Sequence, residues 1–548
     1  MKKLILKLLS IITILFLCSS ILYAQEVSTK YGVLKGIVED SIAIFKAIPF
    51  ASPPIGALRW QAPKLPKPWI GVRMADKFSP ICPQNGMYPK DAPPEEMNED
   101  CLYLNIWKPV KTNTQKLPVM VWFHGGGLVN GSASTNLYSG ENLAKQDVLV
   151  ITANYRLGVF GFLAHPELSK EAIYKSSGNY GLLDMIAALK WVQENIASFG
   201  GDPNNVTIFG QSSGAICINA LTTSPLSKGL FHKVIAQSGG LFEPIELDKG
   251  FSLKTLENVG VRFTTRAGAK SLKELREIPA NDLLKIPVHT SMNIDDYALT
   301  QTPYKAYENK QYHKTPVLLG NTTEEGQAFI SDLQITKENY KKELSKHFPG
   351  WLVSLTAPET GKTDQEATKA AIVFEGDIRF KWNMWTWAKF VSEQKDSKVY
   401  LYQFAQSPPY PRNYSEGSGS THGSELFYVF GNFKSRNWDW TIDDLNLSSH
   451  LLKYWTNFAK SGNPNGDGLP QWPDFTNPKP KALYLNKELK TIAFDSKGTL
   501  SNLDNVYSTA RFVNKYFIYL VSFSILFVSY LSFSVIKRFR NRRIKKKK

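Results

Sequence analysis

The 548-residue chain has few of the features that mark a metal site, a repeat array or a flexible linker. It holds four cysteines and eight histidines, with no C-x-x-C pair and no His/Cys cluster, so the spacing of a structural metal site is missing. No Gly/Ser-rich or Pro-rich run divides it and no segment repeats, which points to one large body. Apolar residues make up 43% of it and charged residues 21%, with ordinary Gly and Pro, which excludes collagen-like, disordered and multi-span membrane classes. Acidic residues are missing from both ends. Residues 1–24 and 537–548 carry three and nine basic residues respectively, and removing those twelve from the net charge of +17 leaves +5 for the middle. The basic excess therefore belongs to the ends, and a nucleic-acid partner is not expected.

The ends read as membrane-directed. Lys2 and Lys3 open residues 1–24, an apolar stretch follows, and Ala24 offers a cleavage point, as in a secretory signal; an uncleaved anchor is the other reading. Leu17 before Cys18 lacks the small residue a lipoprotein box wants. Residues 516–536 carry no charge and at about 1.5 Å per residue match a bilayer core, so a transmembrane helix is expected there. The basic segment 537–548 predicts a cytoplasmic tail, with the body, residues 25–510, on the other side of the membrane. A sorting signal or a dilysine retrieval signal remains open for the tail, beside simple anchoring on anionic lipid. In an exported protein Cys82 and Cys101 read as a disulfide, worth about 3 kcal/mol for a loop of this size. Cys217 reads as a buried core thiol.

Short apolar runs alternate with helical stretches. Residues 119–123, 148–153, 206–209, 234–237 and 317–320 read as strands and 182–196 as a helix, with a turn at 202–205. The alternation predicts an α/β fold, a large and mostly parallel sheet with helices on both faces.

The run VTIF enters Gly210-Gln211-Ser212-Ser213-Gly214, and a helical pattern follows. G-x-S-x-G between strand and helix is the pattern of a nucleophile elbow, where a Ser sits on a sharp turn. Ser212 is the candidate nucleophile, and Ser213 would contribute its backbone N–H. Upstream, a strand ends in His124-Gly125-Gly126-Gly127. Consecutive glycines leave backbone N–H groups open to an approaching oxyanion, so Gly126 and Gly127 are the other candidate donors.

Several blocks in order, VMVWFHGGGL, NYRLGVFGFL, GNYGLLD, ALKWVQENIASFGGDPNNVTIFGQSSGA, AQSGG and the EDCLYLN stretch from Glu99, resemble the type-B carboxylesterase/cholinesterase family over about residues 27–505. The resemblance implies an α/β-hydrolase fold and a serine hydrolase that cleaves small carboxylic esters without metal or organic cofactor. It implies Glu325, in the Glu-Gly pair after strand 317–320, as the triad acid in preference to Glu324, and His422, in His-Gly-x-Glu, as the base. The order Ser212, Glu325, His422 suits this fold. It also implies the Cys82–Cys101 disulfide, ion pairs Arg59–Glu99 and Arg156–Asp184, and a supporting place for Ser238 near the catalytic His. His124 is expected to be structural.

Two departures narrow the expected substrate. Most relatives carry Glu before the nucleophile, whereas this chain has Gln211. No Trp lies between Cys82 and Cys101, where cholinesterases resemble one another in placing a choline-stacking Trp. A general carboxylesterase is expected, with poor turnover of choline esters.

Overall fold

In a computed structural model of the protein, residues 25–85, 96–110, 115–243, 251–411, 419–476, 479–494 and 496–545 are described, and in the last helix side chains only for 499–516 and 527–535. The expected signal at 1–24 lies outside them, as do the side chains of the basic tail.

Thirteen strands form one sheet: Gln25–Thr29 (β1), Gly32–Glu39 (β2), Ile42–Pro49 (β3), Val72–Met74 (β4), Tyr103–Pro109 (β5), Leu117–Phe123 (β6), Leu149–Ala153 (β7), Gly201–Gln211 (β8), Lys233–Gln237 (β9), Val317–Thr322 (β10), Val399–Phe404 (β11), Lys481–Leu485 (β12) and Lys490–Ala493 (β13). The order is β1-β2-β3-β5-β7-β6-β8-β9-β10-β11-β12-β13, with β4 against β2. From β7 to β12 every neighbouring pair is parallel; the pairs along the order from β1 to β7 and at β13 are antiparallel, and β4 joins β2 in parallel.

The central strands are apolar throughout because both faces are covered. On β6, Val119, Val121 and Phe123 enter one core while Met120 and Trp122 enter the other. The first core also takes Leu182, Met185, Ile186, Leu189 and Val192 of Tyr180–Asn195 (α1), and Ala215 and Ile218 of Ser213–Leu221 (α2). The second takes residues from a later helix, Ile442–Ser461, where Leu447, Leu451, Tyr454, Trp455 and Phe458 recur at helical spacing. Cys217 lies in the first core, where burial pushes its thiol far up and keeps it protonated.

The turn expected at 202–205 falls inside the bounds of β8 as a break in register. Pairing jumps from Leu117–Gly201 to Val119–Val206, and the Asp202 carboxylate accepts from the Asn204 N–H at 3.0 Å, which holds the excursion out.

Residues 516–536 belong to one long helix, Thr499–Lys545. Among the described residues no helix is long and apolar enough to cross a membrane. The expected helix is present there, and a membrane span is not shown. Its first turns are part of the body: Leu500, Leu503 and Tyr507 are buried, and Tyr507 meets Trp382 edge to face at 4.8 Å.

Candidate active site

β8 ends at Gln211 and α2 begins at Ser213, which leaves Ser212 alone at the turn with φ 55° and ψ −127°. The Ser212 N–H donates to the Gln237 carbonyl at the end of β9 at 2.9 Å, and this pins the strained residue. A Cβ at Gly214 would stand 2.2 Å from the Phe123 carbonyl at the end of β6, so the elbow closes only with glycine there.

The chain leaving β6 crosses directly beside this turn. A Cβ on Gly125 would lie 3.1 Å from Ser212 Cβ. Gly126 and Gly127 follow at φ 111° and 64°. Among the described residues neither of their N–H groups donates to a protein acceptor, and Gly127, Ser212 and Ser213 line one cavity. His124 points elsewhere. It is buried and stacked on Tyr155 at 4.5 Å, its Nδ1–H donates to the Gly125 carbonyl, and burial lowers its pKa to about 4.

Glu325 follows β10 and is buried. Its Oε1 accepts from the Thr322 N–H at 2.7 Å and the Ser238 hydroxyl at 2.5 Å, and its Oε2 meets His422 Nδ1 at 2.5 Å. Glu324 instead accepts from the Ser420 N–H at 2.8 Å. Ser238 is thus bonded to Glu325 and not to the imidazole. The His422 ring is held between aromatics, stacked on Phe380 at 4.5 Å and touched by Phe329 at 5.4 Å.

Gln211 reaches the imidazole directly. Its Nε2 lies 3.1 Å from His422 Nε2. With Nδ1 donating to a buried carboxylate, Nε2 is the acceptor, so the Gln211 amide donates to it. Among the described residues this is the hydrogen bond recorded at Nε2, where a nucleophilic Ser would place its hydroxyl.

The Glu of the His-Gly-x-Glu block is Glu425. It is fully buried, accepts from Gln237 Nε2 at 3.0 Å, and has no partner for Oε2 among the described residues. Burial, and then the nearby Glu325, push its pKa up to about 7. The Trp455 indole fixes Gln237 from the far side at 3.2 Å. Its place in the motif was the signal available in the sequence.

The cavity in front of Ser212 has a volume of about 810 Å³. Ile216, Phe329, Trp351, Leu352, Phe380 and Tyr507 supply apolar wall. These residues come from five separate stretches of chain, which is why no single motif announced them. Among the described residues no group of three acidic, His or Cys side chains is placed to hold a metal ion. Cys82 and Cys101 form a disulfide. Arg59–Glu99 and Arg156–Asp184 form ion pairs at 2.5 Å and 2.7 Å, with the second pair almost wholly buried.

The carboxylesterase family model matches residues 23–502. The chain belongs to the carboxylesterase family. It is similar to fumonisin B1 esterase of Sphingopyxis macrogoltabida, 36% identical over 82% of this chain and 84% of that one. It is similar to carboxylesterase 1C of Rattus norvegicus, 33% identical over 82% and 86%. Among solved structures it resembles PNB esterase, with a TM-score of 0.75 and 33% identity over 87% of this chain and 99% of that one. The sheet order and the elbow are those of an α/β hydrolase, and the protein is a carboxylic ester hydrolase of the carboxylesterase family.

Proposed function

We propose that the protein is a general serine carboxylesterase in which Ser212 is the nucleophile, His422 the general base and Glu325 the acid that holds it. The observation that carries this reading is the imidazole of His422, with Nδ1 on buried Glu325 and Nε2 turned to the elbow at 211–212. Catalysis asks Nε2 to exchange the Gln211 amide for the Ser212 hydroxyl, a bond of the kind that tightens in the substrate complex. His422 then takes the hydroxyl proton as Oγ bonds to the ester carbonyl carbon. The N–H groups of Gly126, Gly127 and Ser213 receive the negative oxygen, each worth about 3 kcal/mol in the barrier. The imidazolium returns its proton to the departing alcohol, the acyl-enzyme remains, and water attacks it with His422 again as base.

Replacing Ser212 by Ala should abolish labelling by a fluorophosphonate probe and lower kcat for 4-nitrophenyl esters by about 10⁴-fold or more. Undiminished labelling of the variant would reassign the nucleophile.

The substrates proposed are neutral or anionic small esters, not choline esters, since Gln211 brings no negative charge to the site. We further propose residues 25–510 as the catalytic unit, exported behind the signal at 1–24 and tethered by 516–536 with a cytoplasmic tail at 537–548. The Cys82–Cys101 disulfide supports an oxidising compartment, and the uncharged stretch before the basic tail supports the tether.

A further inference from the structure

Among the described residues the mostly apolar wall of the substrate cavity holds one basic and one acidic side chain, Arg379 and Glu243. Arg379 lies in a single π-helical turn, Asp377–Lys381, which carries Arg379 and Phe380 into the cavity side by side. Its guanidinium lies over the Phe329 ring at 5.0 Å, and that ring meets the His422 imidazole at 5.4 Å. The charge is therefore one aromatic ring away from the candidate base.

The bonding of Arg379 is incomplete. Nε donates to Glu375 Oε2 at 2.7 Å. Glu375 is fully buried, and its other oxygen is taken by His347 Nδ1 at 2.5 Å. Burial works against a charge on His347, but its bonds to Glu375 and Asp332 raise its pKa overall. One carboxylate is thus shared between Arg379 and His347. The Arg379 Nη1 and Nη2 groups donate to no protein acceptor among the described residues, and the side chain remains one-third exposed, so the open end of the fork is available to the cavity. Glu243 does not quench it. No ion pair joins the two among the described residues, Glu243 accepts from Asn383 Nδ2 at 2.7 Å, and burial pushes its pKa up to about 7.

A planar fork of N–H donors on a partly desolvated wall matches a carboxylate. We propose that Arg379 is a substrate-recognition site, and that the preferred esters carry a free carboxylate a few atoms from the scissile carbonyl. The proposal rests on the reading of Ser212 as nucleophile, because it places the two ends of one substrate in one cavity.

The test uses the full chain and ethanol release from monoethyl succinate, glutarate and adipate, each against the neutral ethyl ester of the same acyl length. The wild type should favour the anionic ester at one length or more. Arg379→Met should lower the anionic-to-neutral ratio of kcat/KM by about tenfold or more, because a site built for a hydrogen-bonding group loses its discrimination without it. Arg379→Lys keeps the charge without the fork and should fall between the two. Taking a ratio removes any loss of folded protein. A wild type that prefers the neutral ester at every length, or a ratio unchanged in Arg379→Met, overturns the proposal while fluorophosphonate labelling still supports Ser212. A wild type that neither labels nor releases ethanol overturns the reading of Ser212 and this proposal with it.

Discussion

At the residue scale the sharpest feature of the site is the side chain immediately before Ser212. Gln211 donates to the lone pair on His422 that the Ser212 hydroxyl would use as the proposed nucleophile. A carboxylate in its place could only accept, so it would face Nε2 favourably when that nitrogen is protonated. Gln211→Glu should therefore stabilise the imidazolium and move the acidic limb of the kcat/KM–pH profile upward by about one unit, the size expected for an opposite charge in contact. An acidic limb that stays in place or moves down would mean that the side chain leaves the imidazole in the working enzyme. This relation was only half legible in the sequence. The change from Glu to Gln was visible and its loss of charge was read, but its direct bond to the base needed the geometry of the elbow. Ser212 and Gly214 were legible because the strand-to-helix turn imposes its own residues. Phe329, Phe380 and Arg379 were not, because an apolar or long side chain in a scattered loop carries no pattern until the fold brings it to the imidazole.

At the scale of elements, the segment from His422 to the short helix Leu426–Phe430 carries both a functional and a strained group. Glu425 stands at the N-terminus of that helix, and its carbonyl accepts from the Tyr428 and Val429 N–H groups at 3.0 Å and 2.9 Å. Its carboxyl is held in the apolar layer between that helix and β9, with a pKa near 7 against an ordinary 4.5. Between those values the native protein keeps a proton that the unfolded chain has released. Stability contributed by this group therefore falls as pH rises through the window, and the full cost, about 3 kcal/mol, is present above pH 7. Glu425→Gln copies the neutral form at every pH. It should raise Tm by a few degrees at pH 8 and change it little at pH 4.5. Comparing each pH with wild type cancels Glu243, which titrates in the same direction. Equal shifts at both pH values would show that packing and not ionisation governs this position. The parallel strands β6 to β10 were legible because they are apolar on both faces. Strands β1, β2 and β4 were not legible, since their burial is mixed and no chemistry sits on them.

At the scale of the whole molecule, the question is where the enzyme ends and the proposed tether begins. The charge pattern divides the chain near residue 510, but the helix that starts at Thr499 runs through that division without a break. Its first part is built into the body: Leu500, Leu503 and Tyr507 are buried, Lys389 pairs with Asp504 at 2.8 Å, Arg511 donates to the Phe242 carbonyl, and Tyr507 and Ala510 line the substrate cavity. Full burial of a large apolar side chain contributes about 2 kcal/mol, so three of them outweigh the small worth of the partly exposed ion pair. A chain ending at residue 515 should keep kcat/KM within about twofold of the full chain and lose the membrane association proposed for it, since it retains every one of these contacts and drops the uncharged stretch. A chain ending at residue 498 should lose several kcal/mol of stability and open the cavity wall, and its kcat/KM should fall well beyond what the remaining folded fraction explains. Thermal melts, activity per labelled Ser212 and vesicle flotation separate these effects. If the chain ending at 498 matches the one ending at 515 in melt and activity, the helix is a tether alone. If the chain ending at 515 still floats with vesicles, the membrane contact lies on the catalytic body and not on residues 516–536.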